Sequence, residues 1–175
     1  MPGASRAGSG WRGGIFLLIA AFLVALDQLT KSWVRSNIAL NEAIPVWGRL
    51  TLANVRNTGS AFGLFVNQAF LLTLIAAVGI VAILIFYKYF SKSNWLGVTG
   101  LSLVLGGAIG NLVDRIRFGY VTDFIDVRLW GDFHWPTFNV ADSAITVGSI
   151  VLIFFILFTF GKSDGKTAQD RDKNA

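Results

Sequence analysis

SNWLGVTGLSLVLGGAIGNLV, residues 93–113, is a run of 21 residues without a charge, and Asp114-Arg115 follows at once. A helix that crosses the hydrocarbon core of a bilayer needs about 20 predominantly apolar residues, so this run is long enough to span. Two more runs read the same way: 31 uncharged residues from Asn57 to Tyr87 and 19 from Ser143 to Gly161. The fourth candidate is shorter, 14 charge-free residues from Gly13 to Leu26, and Asp27 ends it. With Arg6 and Arg12 ahead of it, this segment has the basic-then-apolar order of a secretory signal peptide. No clear small-x-small cleavage site follows the run. Read instead as a helix over 13–33, it places Asp27 and Lys31 at i and i+4, acid before base, the better order for a helical ion pair. The count is four spans, at about 13–33, 68–88, 95–114 and 140–160. The expected fold class is a mainly α, polytopic membrane protein.

Composition agrees. Of 175 residues, 54% are hydrophobic and 14% charged, against about 25% charged in soluble domains. Mean hydropathy is +0.60. The formal charge is +5; in so apolar a chain this excess suits anionic lipid headgroups rather than nucleic acid. Cys is absent, which removes disulfides, thiolate metal sites and a cysteine nucleophile. A single histidine, His134, leaves no His-rich metal site and makes a Ser-His-Asp triad hard to build. Any chemistry must come from carboxylates and amides.

An even number of spans places both ends of the chain on one side of the membrane. Lys and Arg divide 8 to 7 between the terminal side and the opposite side, so the positive-inside rule decides little by count alone. Basic flanks at Arg12, Lys88, Lys92 and Lys162 favour cytoplasmic termini. Seven of the ten acids (Asp27, Glu42, Asp114, Asp123, Asp126, Asp132 and Asp142) fall on the far side, which marks the face to search. That side also carries alternating segments. Arg49–Val55 runs into the turn Asn57-Thr-Gly-Ser, and Ile125, Val127 and Leu129 alternate with Asp126 and Arg128. They predict a small β element at the membrane surface. The N-terminal arm, residues 1–12, and the polar tail, 162–175, are expected to be cytoplasmic, with disorder over Met1–Gly10 and Lys162–Ala175.

Polar side chains at the edge of a span are functional candidates by default, and here they cluster. Asn111, Asp114 and Arg115 stand at i, i+3 and i+4 at the end of the third span; Asn139 and Asp142 open the fourth; Asp123 lies in the connection. If Asp123 and Asp142 meet, the two carboxylates cannot both ionise easily, and one keeps a proton near neutral pH. That supplies a general base and a general acid from identical side chains, without metal or cofactor. Bland readings stand beside this one. Asp142 fits a helix N-terminus on dipole grounds. Asp114–Arg115 and Asp27–Lys31 fit structural charge partners, Gly106, Gly107 and Gly110 fit close helix approach, and His134 fits the interface.

The motifs occur in a fixed order: Asp27-Gln-Leu-Thr-Lys31, Asn57-Thr-Gly-Ser-Ala-Phe62, Gly106-Gly-Ala-Ile-Gly-Asn-Leu-Val-Asp-Arg115, Gly119-Tyr-Val-Thr-Asp-Phe124 and Phe138-Asn-Val-Ala-Asp142. In this order, over residues 13–161, the chain closely resembles the bacterial lipoprotein signal peptidase family, signal peptidase II. The resemblance implies an inner-membrane aspartyl endopeptidase that removes signal peptides from prolipoproteins, cutting before a diacylglyceryl-modified cysteine. It implies a catalytic dyad of Asp123 and Asp142. It implies a substrate site lined by Asn57, Asn111, Arg115 and Asn139, supported by Asp27, Lys31, Asp114 and Gly59. It further implies a periplasmic cradle for the β element, an active site near the periplasmic face, inhibition by globomycin-type antibiotics, and no metal or cofactor. The expected partners are prolipoprotein signal peptides and membrane lipid, with the enzyme a monomer. The segment Arg117–Phe138 is the expected mobile lid. The rival readings are a small transporter whose Asp residues form a cation or proton path and a structural subunit without chemistry.

Overall fold

The computed structural model describes the backbone of residues 7–59, 69–90 and 95–172, with side chains over 11–59, 70–88 and 95–158. Four helices carry the apolar runs: α1 (Ala7–Asn37), α2 (Ala69–Phe90), α3 (Trp95–Phe118) and α4 (Val140–Asp172). Each contains a segment long and apolar enough to cross a membrane: Trp11–Asn37, Phe70–Lys88, Trp95–Phe118 and Val140–Phe158. A helix satisfies its own backbone hydrogen bonds, which is why such segments adopt it where no water is available. The first apolar run is thus one continuous helix with the Asp27–Lys31 segment. The helices also overrun the expected boundaries. Helix α1 is already formed at Ala7, and α4 continues to Asp172 through the polar stretch read as disordered. Once nucleated in the apolar run, a helix gains one backbone hydrogen bond for each further residue it fixes.

Helix α3 is the hub and packs against α1, α2 and α4. Small residues let the backbones approach. A Cβ on Gly107 would collide with the Ala141 carbonyl of α4, and one on Gly110 would lie 2.6 Å from the Asp27 carboxylate of α1. Two apolar clusters result. Phe16, Ala20, Val98, Leu101 and Leu105 fill the helix interior, and Val34, Ile38 and Phe124 seal the helices to the sheet. Helix α2 packs on α3, stacks Tyr87 on Phe16 of α1 at 4.2 Å, and otherwise shows large apolar side chains outward, Phe70, Val78 and Ile85 among them, as a lipid-facing helix does.

The expected β element is larger than the two segments that announced it. Strands β1 (Ala43–Trp47), β2 (Leu50–Asn57), β3 (Val121–Trp130) and β4 (Phe133–Phe138) form one antiparallel sheet in the order β1-β2-β3-β4. Asn57 pairs with Val121, Val55 with Asp123 and Leu52 with Ile125. The ladder shifts register between Leu52 and Val55, a bulge directly beside Asp123. The segment 117–138 is therefore mostly a β-hairpin. Gly119, with φ of 76°, ends α3 in the left-handed region, and its N–H donates to the Arg115 carbonyl at 3.0 Å. This cap stops the helix and turns the chain into β3.

Candidate active site

Asp123 is the third residue of β3 rather than part of a loop. Asp142 is in the first turn of α4. Asn139 caps that helix: its Oδ1 accepts the Asp142 N–H at 2.9 Å, and the Asp142 Oδ2 accepts the Asn139 N–H at 3.2 Å. This is the reciprocal logic of a capping box, so the helix-terminus reading of Asp142 holds. It does not compete with a catalytic reading, because the carboxylate keeps a second oxygen for other work.

Three asparagines surround the two carboxyl groups. Asp123 accepts from Asn57 Nδ2 at 2.8 Å and from Asn139 Nδ2 at 2.7 Å. Asp142 accepts from Asn111 Nδ2 at 2.8 Å. Each amide can point its NH₂ at a carboxyl because its oxygen is already engaged. The Gly59 N–H donates to Asn57 Oδ1, Lys31 Nζ and Asn139 Nδ2 donate to Asn111 Oδ1, and the Asp142 N–H donates to Asn139 Oδ1. The turn that supplies Gly59 is where the second motif leaves the described residues; its Ser60-Ala-Phe62 portion lies outside them.

Amides contribute hydrogen bonds but no net charge. Asp123 is 2% exposed, and burial together with the nearby Asp142 pushes its carboxyl up to about 7. Hydrogen bonds from Asn57 and Asn139 oppose this without cancelling it. A carboxyl raised this far is partly protonated near neutrality.

Behind this layer lies a second pair of carboxylates with a different environment. Asp27 and Asp114 are fully buried. Lys31, 0% exposed, lies 2.8 Å from Asp27 and 3.6 Å from Asp114. Arg35 lies 3.5 Å from Asp114 and donates to Thr122 Oγ1 at 2.9 Å. Gln28 Nε2 bridges Asp27, the Gly110 carbonyl and Asp114 at 3.0–3.2 Å. The remaining oxygens reach backbone. Asp27 Oδ1 accepts the Ala141 N–H at 3.0 Å, and Asp114 Oδ2 accepts the Thr122 N–H at 3.0 Å. Ala141 and Thr122 immediately precede Asp142 and Asp123. The rear carboxylates thus hold the two backbones that present the front ones.

A cavity of about 580 Å³ opens onto the front pair, walled by Asn57, Asn111 and Arg115 on the polar side and by Trp135, Phe138 and Val147 on the apolar side. The geometry corrects two expectations. Asn139 does not line this cavity; it is fully buried and brackets the carboxyl groups from behind. Asp114 and Arg115 are not each other's partners, because adjacent helix residues point about 100° apart. Asp114 turns to Lys31 and Arg35, and Arg115 faces the cavity with no ion pair among the described residues. His134 stays outside the site, paired with Asp126 at 2.8 Å on the exposed hairpin.

Sequence reasoning missed Gln28, Thr122 and Arg35. Gln28 and Thr122 lie inside quoted motifs, next to Asp27 and Asp123. Arg35 follows Asp27 and Lys31 at four-residue spacing, which places it on their helix face and could have signalled it.

Comparison with known proteins identifies the family. Residues 19–158 match the family described as Signal peptidase (SPase) II. The lipoprotein signal peptidase of Syntrophotalea carbinolica is 48% identical over 143 residues, 79% of this chain and 88% of that protein. That of Moorella thermoacetica is 43% identical over 148 residues, 84% and 95% respectively. A solved bacterial membrane enzyme superposes with a TM-score of 0.77 at 32% identity, covering 85% of this chain and 91% of the other. The chain belongs to the signal peptidase II family.

Proposed function

We propose that this member of the signal peptidase II family is a membrane aspartyl endopeptidase that removes signal peptides from prolipoproteins, cutting before the diacylglyceryl-modified cysteine. The observation that carries the reading is the pair Asp123 and Asp142, bracketed by three asparagines at a partly apolar cavity. Asp142, at the N-terminus of α4, takes a proton from the attacking water. Protonated Asp123 donates to the scissile carbonyl oxygen as the tetrahedral intermediate forms. The proton taken by Asp142 then passes to the leaving nitrogen, and collapse of the intermediate returns the other proton to Asp123. No side chain is consumed, and water supplies the hydroxyl of the new carboxyl and the hydrogen of the new amine. Arg115 offers a fixed positive charge to a substrate carbonyl in the cavity.

The signal helix stays among the spans and the acyl chains stay in lipid, so the scissile bond meets the carboxyl groups at the membrane edge. In this reading the protein is a monomer of the bacterial inner membrane with cytoplasmic termini and the site near the periplasmic face. Globomycin-type inhibitors bind over the dyad. The test is cleavage by purified protein of a diacylglyceryl prolipoprotein and of its unlipidated counterpart, each with and without globomycin. Cleavage of the lipidated substrate alone, blocked by the antibiotic, is the expected result. No cleavage of either substrate would overturn the reading.

A further inference from the structure

On the other side of α3 from the active site, the sheet-side ends of α1 and α3 enclose a second groove of about 510 Å³. Its upper wall holds Arg35, Arg117 and Phe118, with Ser32 beside them, and its lower wall holds Leu29 and Ala25. Both guanidinium groups sit at one aromatic ring: the Arg35 carbon is 4.6 Å from the Phe118 centroid and the Arg117 carbon 5.2 Å. Arg35 also reaches Asp114 and Thr122, so its charge is partly compensated. Arg117 is exposed and makes no ion pair among the described residues. Lys31 and Arg35 face Asp27 and Asp114, so Arg117 adds a positive charge with no ion pair of its own among the described residues.

The groove is amphipathic along the helix axis. Ala25 and Arg35 are ten residues apart, about 15 Å at the helical rise. Between them the outward surface changes from Leu26 and Leu29, the latter 69% exposed, to Trp33, 53% exposed, and then to the arginines. Trp at this position marks the boundary between hydrocarbon and headgroups. A ligand that fills the groove needs an apolar tail pointing toward the bilayer centre and an anionic group at the Trp33 level. A soluble phosphate has only the second part.

We propose that this groove binds an anionic glycerophospholipid of the sheet-side leaflet, its phosphate at Arg35 and Arg117 and an acyl chain along Leu29 and Ala25. Arginine suits the phosphate because its planar donors can engage two oxygens. The site is separate from the substrate cavity and shares no lining residue with it. Its test is independent of proteolysis, so the peptidase reading and this one stand or fall separately.

The experiment is native mass spectrometry of the delipidated full chain in detergent, titrated with phosphatidylglycerol or phosphatidylcholine of matched acyl chains. The expected result is one phosphatidylglycerol retained with about tenfold or greater preference. Arg117→Gln should lower that preference about fivefold, since a basic residue near anionic lipid contributes roughly 1 kcal/mol. Ser32→Glu, which places a carboxylate in the groove at an exposed position, should do the same. Arg128→Gln, on the sheet, should retain the preference. Equal retention of both lipids by the wild type overturns the proposal, as does an Arg117→Gln or Ser32→Glu protein that binds like the wild type. Loss of preference in Arg128→Gln, or equally good binding of glycerol 3-phosphate, overturns it too.

Discussion

Two pairs of aspartates lie one layer apart in this molecule, and they are handled in opposite ways. Asp27 and Asp114 are neutralised by cations, Lys31 between them and Arg35 behind. Asp123 and Asp142 are held by amides, from Asn57, Asn111 and Asn139. A cation beside a buried carboxylate supplies an opposite charge and a fixed partner. An amide orients the group and leaves its charge uncompensated, so a proton must serve instead. The rear pair is therefore suited to holding backbone N–H groups and the front pair to exchanging protons. Identical side chains acquire different work from the company they keep.

Asparagine substitutions give the sharpest separation. Asp123→Asn and Asp142→Asn should each lower the cleavage rate by roughly 100- to 10,000-fold while the protein still inserts and keeps its thermal unfolding profile in detergent. Asp27→Asn should instead lower the unfolding temperature, with activity falling in step. If Asp27→Asn lost activity at full stability, the division between the pairs would fail. Close behind comes Lys31→Met, which leaves two buried carboxylates facing each other. It should cost about 3–5 kcal/mol, the range for breaking a buried ion pair, measured as chemical or thermal unfolding.

The pH profile tests the front pair alone. With its carboxyl near 7, Asp123 loses its proton as pH rises past that value, and kcat/KM should fall by up to about tenfold per unit above it. The same group affects stability. The unfolded carboxyl ionises near 4 and the folded one near 7, so the folded state retains a proton through that window. Its contribution to stability is present below about pH 4 and declines as pH rises to about 7. Asp123→Asn should flatten that decline, and a decline unchanged in the variant would assign it elsewhere. The smallest effect is expected at His134. His134→Gln removes the exposed contact to Asp126 and should shift stability by no more than about 0.5 kcal/mol, with cleavage unaffected.

Much of this was legible in the sequence because the relevant signals are local. Charge-free runs of bilayer length read as helices, and the i, i+4 spacing of Asp27 and Lys31 gave the 2.8 Å pair. Strand β2 was readable from its alternation, whereas β1 and β4, with Pro45 and Pro136 among aromatics, carried little periodic signal. The tails misled because low hydropathy argues against burial but says less about whether a helix already nucleated continues.

By itself, the sequence determined that this chain is a four-helix membrane protein with its acids concentrated on one side, since hydropathy and charge act residue by residue. Only the tertiary structure decided which acid is which. That distinction depends on how the fold arranges partners: Asn111 meeting Lys31, Asp114 turning away from Arg115, Asn139 passing behind the cavity rather than into it. A carboxyl's protonation state is set by the charges and dipoles packed around it, and those are assembled only when the chain folds.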